Sequence, residues 1–212
     1  MTDPVKRRGY DISGRREQAA ASRRAVLAAA HRLLLAGGYA ATTVPAVAAA
    51  AGVSPEFVYK NVGGKAALLA AVLDTAIGGD DEPVALAERS SIARLRELAT
   101  PGEVLDGYTG VMAQVQRRVA PLLLLAAQSA DPDAAALLVK ADTERLAGMT
   151  GLARHLTGLG GLRPGLDVER VRDLLWTYTA PQVYDLLVGH RGWAVEDYRL
   201  HVRDALIAAM LA

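Results

Sequence analysis

Apolar side chains in this chain recur every three to four positions, and almost nowhere every second one. That spacing is the signature of helices with one buried face, so the pattern predicts an all-α protein without strands. From Ser22, residues Val26, Ala30, Leu33 and Leu34 keep to one helical face until Gly37–Gly38 interrupts it. Val44, Val47, Ala48 and Ala51 form a second clean stripe, introduced by Thr42 or Thr43 as N-cap and closed by Gly52. Ser54 and Pro55 then open a third, very short helix to about Asn61, since Pro suits the first helical position. Gly63–Gly64 break the chain, and a fourth helix from Lys65 carries Leu68, Leu69, Val72 and Leu73. After GGDDEP (78–83) the periodicity predicts helices over 103–119, 121–129, 132–158, 167–189 and 194–211. Pro121, Asp131–Pro132 and GLGGLRPG (158–165) are the punctuation, and Pro181 should split or kink the segment around it.

Composition narrows the chemistry. The 212 residues are half apolar, enough for a sizeable core. There is no cysteine, which excludes disulfides, thiol catalysis and cysteine zinc sites. The four histidines (31, 155, 190 and 201) are isolated, so no metal or other cofactor is expected. No apolar run reaches the roughly 18 residues of a membrane span, and the N-terminus has no apolar signal core. A cytoplasmic location without membrane contact is therefore expected.

The charge is uneven. Residues 1–65 hold ten Lys/Arg against four acids, a net +6, while the rest carries −5. A basic front and an acidic back suggest that only the front meets a polyanion. Three segments are expected: a flexible basic arm (1–21), a small helical unit (22–64) and a larger helical unit (65–212).

Two short helices joined by a tight glycine turn form a helix-turn-helix. In such a motif the second helix need only lie in a major groove and present its first residues to base edges, which accounts for its brevity. The stretch TTVPAVAAAAGVSPEFVYKNVGGKAALLAAVL (42–73) is similar to the TetR family of one-component transcriptional regulators. It carries the family's Thr-Thr, Ala-x-x-Ala-Gly-Val-Ser, Tyr and Gly-x-Lys-x-x-Leu in order. The segment 174–198 also resembles actinobacterial members. The resemblance implies an N-terminal three-helix DNA-binding domain followed by a helical domain that binds a small effector and dimerises. It further implies a homodimer on a palindromic double-stranded operator, usually as a repressor. A DNA-binding activator or architectural protein without ligand is the alternative. An enzyme is not expected, because no nucleophile–base pair or paired carboxylates stand at a recognisable spacing.

Roles can be assigned position by position. Thr42 and Thr43 are placed to hold phosphate or simply to cap their helix. Pro55, Glu56, Tyr59 and Lys60 should form the exposed face of the recognition helix. Tyr59 matches the family tyrosine and should grip backbone phosphate. Lys60 suits phosphate or guanine, and Glu56 suits cytosine N4 or its own helix cap. Lys65 places a cation at a helix N-terminus, which the helix dipole disfavours by roughly 0.3–1 kcal/mol. The placement makes sense if a phosphate arrives there. Lys6, Arg7, Arg8, Arg15 and Arg16 serve either an adjacent minor groove or unspecific attraction.

The chain departs from the family pattern at Phe57 (usually small and polar), Val62 (usually Phe) and Gly64 (often Ser). Phe57 is then either a displaced core anchor or a groove-facing contact for a thymine methyl. In the second unit, Tyr108, Met112, Gln128, Met149, His155, Trp176 and Tyr178 are the candidate effector-pocket residues. Leu174, Leu175, Leu186, Leu187, Leu206, Ile207 and Met210 are candidates for a four-helix dimer interface.

Overall fold

The computed structural model describes residues 12–79 and 86–212. Among the described residues there are helices and no strands, apart from one isolated antiparallel bridge between Leu162 and Leu211. The small N-terminal unit comprises α1 (Ile12–Ala41), α2 (Val44–Ala51) and α3 (Pro55–Asn61). After α4 (Lys65–Gly78) come a short helical stretch containing α5 (Ser90–Ala93), and then the long helices α6 (Pro101–Ala127) and α7 (Pro132–Leu159). The chain finishes with α8 (Val168–Tyr178), α9 (Pro181–Tyr184), a wide π-helical turn at Asp185–His190, and α10 (Val195–Met210).

Helix α1 begins ten residues before Ser22, so residues 12–21 are helix rather than flexible arm. Their Arg, Glu, Gln and Ala residues are strong helix formers and include no proline, while polarity alone suggested an arm. The arm residues Lys6, Arg7 and Arg8 lie outside the described residues. Arg15 and Arg16 belong to α1, and Arg16 is exposed. Gly38 leaves helical geometry at φ 75°, ψ 173°, which breaks α1 where the glycine pair predicts.

Pro121 does not divide α6. The helix runs through it, with Pro121 on the exposed side and Val119, Ala120, Leu122 and Ala126 buried. Proline removes one backbone hydrogen bond, but a carbonyl freed on a wet face can turn to solvent while the buried face holds the axis. The start of α6 is fixed by a reciprocal cap: Thr100 Oγ1 accepts from the Glu103 amide at 3.3 Å, and Glu103 Oε2 accepts from the Thr100 amide at 3.1 Å. Pro181 does split its segment, standing at the first position of α9 after extended Ala180.

One core runs through the molecule. Val26, Ala30 and Leu34 of α1, Val47 and Ala48 of α2, and Val58 of α3 close the N-terminal unit. Leu105, Leu122, Leu156, Leu175, Leu206 and Met210 close the rest. Helix α4 packs on both α1 and α6, so it touches both units. Its C-terminal end is held by Arg118 of α6, whose Nε donates to the Ala76 carbonyl at 2.7 Å. A cation suits the negative end of a helix dipole.

Three of the leucine and methionine positions expected at a dimer interface are not on the surface. Leu175, Leu206 and Met210 are fully buried within their own subunit. They continue the inward stripes begun by Val171 on α8 and by Tyr198 and Val202 on α10. Leu186 is exposed, and Leu174, Leu187 and Ile207 are half-buried.

Candidate nucleic-acid interface and effector site

The turn between α2 and α3 is made by Gly52 at φ 68°, in the left-handed region that glycine enters without penalty. Its amide and that of Val53 bond back to α2 carbonyls, and Val53 packs on the core. Ser54 caps α3, its hydroxyl accepting from the Phe57 amide at 3.2 Å. The helix ends as Val62 and Gly63 donate to the Val58 carbonyl. Gly63 is required twice over: its φ is 117°, and a Cβ there would lie 2.8 Å from Ala67 Cβ. A seven-residue helix is thus clamped at both ends and anchored by Val58, which is fully buried.

The outward face of α3 follows from that anchor. Tyr59 is 58% exposed, and Glu56 and Lys60 are exposed beside it. Pro55 is half-buried at the helix start. Glu56 is held below the usual carboxylate range by its own backbone amide and then by the Ser54 hydroxyl, so it is an acceptor at neutral pH. Phe57 turns the other way: it is half-buried and packs against the core, as does Val62. Both positions therefore contribute to the core of the small unit, with Phe57 supplying the aromatic ring. Asn61 tightens the last turn, donating to the Phe57 carbonyl at 2.7 Å.

The two threonines part company. Thr43 is exposed and caps α2, accepting from the Ala46 amide at 3.3 Å. Thr42 is buried, and its hydroxyl donates to the Gly38 carbonyl at 2.9 Å. It closes the end of α1, with its hydroxyl proton committed to that carbonyl. Lys65 is also engaged inside the protein: Nζ donates to the Ala40 carbonyl at 3.0 Å and sits 4.3 Å from the centre of the Tyr39 ring. Two of its three ammonium protons stay uncommitted by that carbonyl.

In the larger unit, Tyr108, Met112 and Met149 are buried, and Tyr178 is half-buried against the core. His155 is half-buried with its Nε2 shielded and without a hydrogen-bond partner. Two expected pocket residues stand elsewhere. Gln128 is exposed at the C-terminal end of α6, where the turn to α7 lifts it away from the core. Trp176 is tied into the α7–α8 seam: its Nε1 donates to Asp142 Oδ1 at 3.1 Å, and Arg145 lies 4.8 Å over its ring.

The expected list omitted Gln116, Thr179 and Tyr198. All three are buried, and Gln116 Nε2 donates to the Thr179 carbonyl at 2.6 Å. Tyr108, Met112 and Gln116 succeed one another at four-residue spacing, so a glutamine in an apolar stripe was the available signal. Burial pushes Tyr108 up to about 12 and raises Tyr198 as well, so both are neutral phenols. A separate surface cleft of about 400 Å³, lined by Ile77, Leu86, Arg89, Val111, Val115 and Arg118, adjoins the end of α4. It contains none of the expected pocket residues.

Helices α2 and α3, joined by the Gly52 turn and with α3 facing outward, form a helix-turn-helix. Residues 26–72 match the model of the bacterial regulatory proteins of the tetR family, which marks this segment as a TetR-type DNA-binding domain. No curated protein matches the chain. Solved structures share its fold over nearly their whole length. TylP, a TetR regulator from Streptomyces fradiae, is 22% identical, with 92% of this chain and 89% of that one covered and a TM-score of 0.62. FadR from Bacillus subtilis, in complex with stearoyl-CoA, is 17% identical over 88% and 98% of the chains, with a TM-score of 0.67. NalD, secondary repressor of the MexAB-OprM multidrug efflux pump in Pseudomonas aeruginosa, is 17% identical over 91% and 98%, also at 0.67. Among the described residues no helix is long and apolar enough to cross a membrane.

Proposed function

We propose that the protein is a homodimeric repressor that occupies a palindromic operator and leaves it when a small, largely apolar effector binds among α6, α7, α8 and α10. The observation that carries the DNA half is the anchoring of α3. With Val58 and Phe57 turned inward, Glu56, Tyr59 and Lys60 project together from one rigid outer face. Tyr59, Lys60 and Thr43 are assigned to backbone phosphate, with Lys60 also able to reach guanine and Glu56 to accept from cytosine. Pro55 sets the start of the reading helix, and Phe57 positions it from beneath. The spare protons of Lys65 add one more phosphate contact.

Dimerisation is assigned to the outer face of α8 to α10, where Leu186 and Trp193 are exposed large apolar side chains. Two subunits would then present two recognition helices to half-sites about one helical turn apart. Effector action is supported by the buried polar atoms of the larger unit and by Arg118, which joins α4 to α6. Selection of binding sites from random DNA with purified protein tests the reading. A two-fold symmetric site is expected, and an absence of preference over random sequence would sink it. A compound that raises thermal stability and also releases the operator supports the ligand-responsive form. A protein that no such compound affects would be the ligand-free activator or architectural alternative.

A further inference from the structure

Three polar side chains are stranded in the middle of the larger unit. Tyr108 Oη, Gln116 Oε1 and Tyr198 Oη are all buried and have no hydrogen-bond partner among the described residues. The residues themselves are 5%, 2% and 2% exposed. Such atoms are rare in folded proteins, because a buried donor or acceptor that loses water and gains nothing destabilises the fold. They come from two helices, α6 and α10, and Thr179 at the end of α8 lies among them.

The groups that might have satisfied them are otherwise engaged. Gln116 Nε2 is committed to the Thr179 carbonyl, which fixes the amide so that Oε1 is the free acceptor. The Thr179 hydroxyl, the side-chain neighbour of Tyr108, spends its proton on the Leu175 carbonyl at 2.7 Å and so has none left to donate to the phenol. Met112 lies one turn from both Tyr108 and Gln116 on the same face of α6 and is buried. An unbranched methionine fills space that a ligand can take over.

The charge balance states what that ligand is. Arg145 is the charged group whose field reaches both Tyr108 and Tyr198. Its guanidinium is already paired with Asp142 at 3.1 Å and donates to the Trp176 carbonyl at 2.9 Å. A cation entering beside it would be repelled. An anion would be desolvated without a free counter-charge. What is missing is hydrogen bonding alone: a donor for Gln116 Oε1, and partners for two neutral phenols that can donate or accept.

We propose that Tyr108, Gln116 and Tyr198 anchor an uncharged, mostly apolar effector that carries at least one hydrogen-bond donor and one acceptor and displaces the Met112 side chain. The proposal rests on the reading of this unit as the effector domain. It sets the chain apart from a regulator of charged acyl or ammonium compounds.

The test uses the full chain and three matched probes: benzamide, benzoate and benzyltrimethylammonium. Benzamide should raise the unfolding temperature saturably and shift the Met112 methyl resonance, with both ions at least about tenfold weaker. Tyr198→Phe and Tyr108→Phe should each weaken benzamide about tenfold without lowering the unfolding temperature of the ligand-free protein, since each removes an unsatisfied hydroxyl. The proposal is overturned if either ion binds as well as benzamide, or if benzamide does not bind up to its solubility limit. It also falls if Met112 stays unshifted, or if the two variants lose stability and keep full affinity. Operator binding by the unmodified protein, measured alongside, separates the two levels. Its absence defeats the regulator reading, whereas intact operator binding with the wrong probe class defeats only the neutral-ligand assignment.

Discussion

Lys65, the first residue of α4, holds its ammonium 4.3 Å from the centre of the Tyr39 ring near the end of α1, while donating to the adjacent Ala40 carbonyl at 3.0 Å. The cation that stands awkwardly at the start of one helix is thereby placed at the negative end of another. It ties the connecting helix to the DNA-binding unit. Lys65→Ala is expected to cost about 1 kcal/mol of stability through the lost carbonyl bond and ring contact. It should also weaken binding to all DNA sequences alike and flatten the salt dependence by about one unit of slope. Denaturant titration and binding isotherms at several salt concentrations measure the two effects separately.

Phe57 and Tyr59 are two residues apart and should fail in opposite ways. Phe57→Ala removes a half-buried ring under the recognition helix and is expected to lower stability by about 1–2 kcal/mol. Tyr59→Ala touches little of the core and should leave stability within about 0.5 kcal/mol while lowering operator affinity. Equal loss of stability in both variants would show that the helix is not oriented as described.

Thr42 and Thr43 form a similar contrasting pair. Thr42→Val breaks the hydroxyl bond to Gly38 and is expected to cost about 1 kcal/mol with operator affinity kept once the protein is folded. Thr43→Ala loses the α2 cap, also worth about 1 kcal/mol, and in addition should reduce affinity, because its hydroxyl is the exposed one. Fluorescence anisotropy with operator DNA, run well below either melting temperature, tells them apart.

Asp106 of α6 accepts from Arg199 at 2.8 Å and from Arg203 at 3.4 Å across to α10. These guanidinium groups, Arg199 foremost, hold its carboxyl below the usual aspartate range. The unfolded chain binds the proton more readily. The contribution is therefore complete above the ordinary aspartate value of roughly 4 and disappears as pH falls through the lower folded value. Solvent screens this half-exposed group, so its worth is below about 1 kcal/mol. Asp106→Asn should show slightly lower stability at pH 7 and a shallower acid limb. Chemical denaturation at pH 7, 5 and 3 would reveal both.

The sequence by itself determined the helical class, the helix-turn-helix and the split at Pro181. Each depends on local rules: apolar spacing, Ser and Thr caps, and glycines where φ must be positive. It also placed Glu56, Tyr59 and Lys60 together, because a buried Val58 dictates which side of one short helix faces out. What it did not contain was the choice made by distant contacts. Thr42 and Thr43 are chemically equal and adjacent, and only the packed end of α1 turns one inward. Phe57 had two faces open to it until the core took it. Pro121 looked like a break because the buried neighbours that carry α6 through it are spread over other helices. Lys65 and Ala40 are 25 residues apart, and Gln116 and Thr179 are 63 apart. No local pattern joins such pairs; only burying the apolar faces together brings them into contact, and the same packing encloses the hydroxyls of Tyr108 and Tyr198.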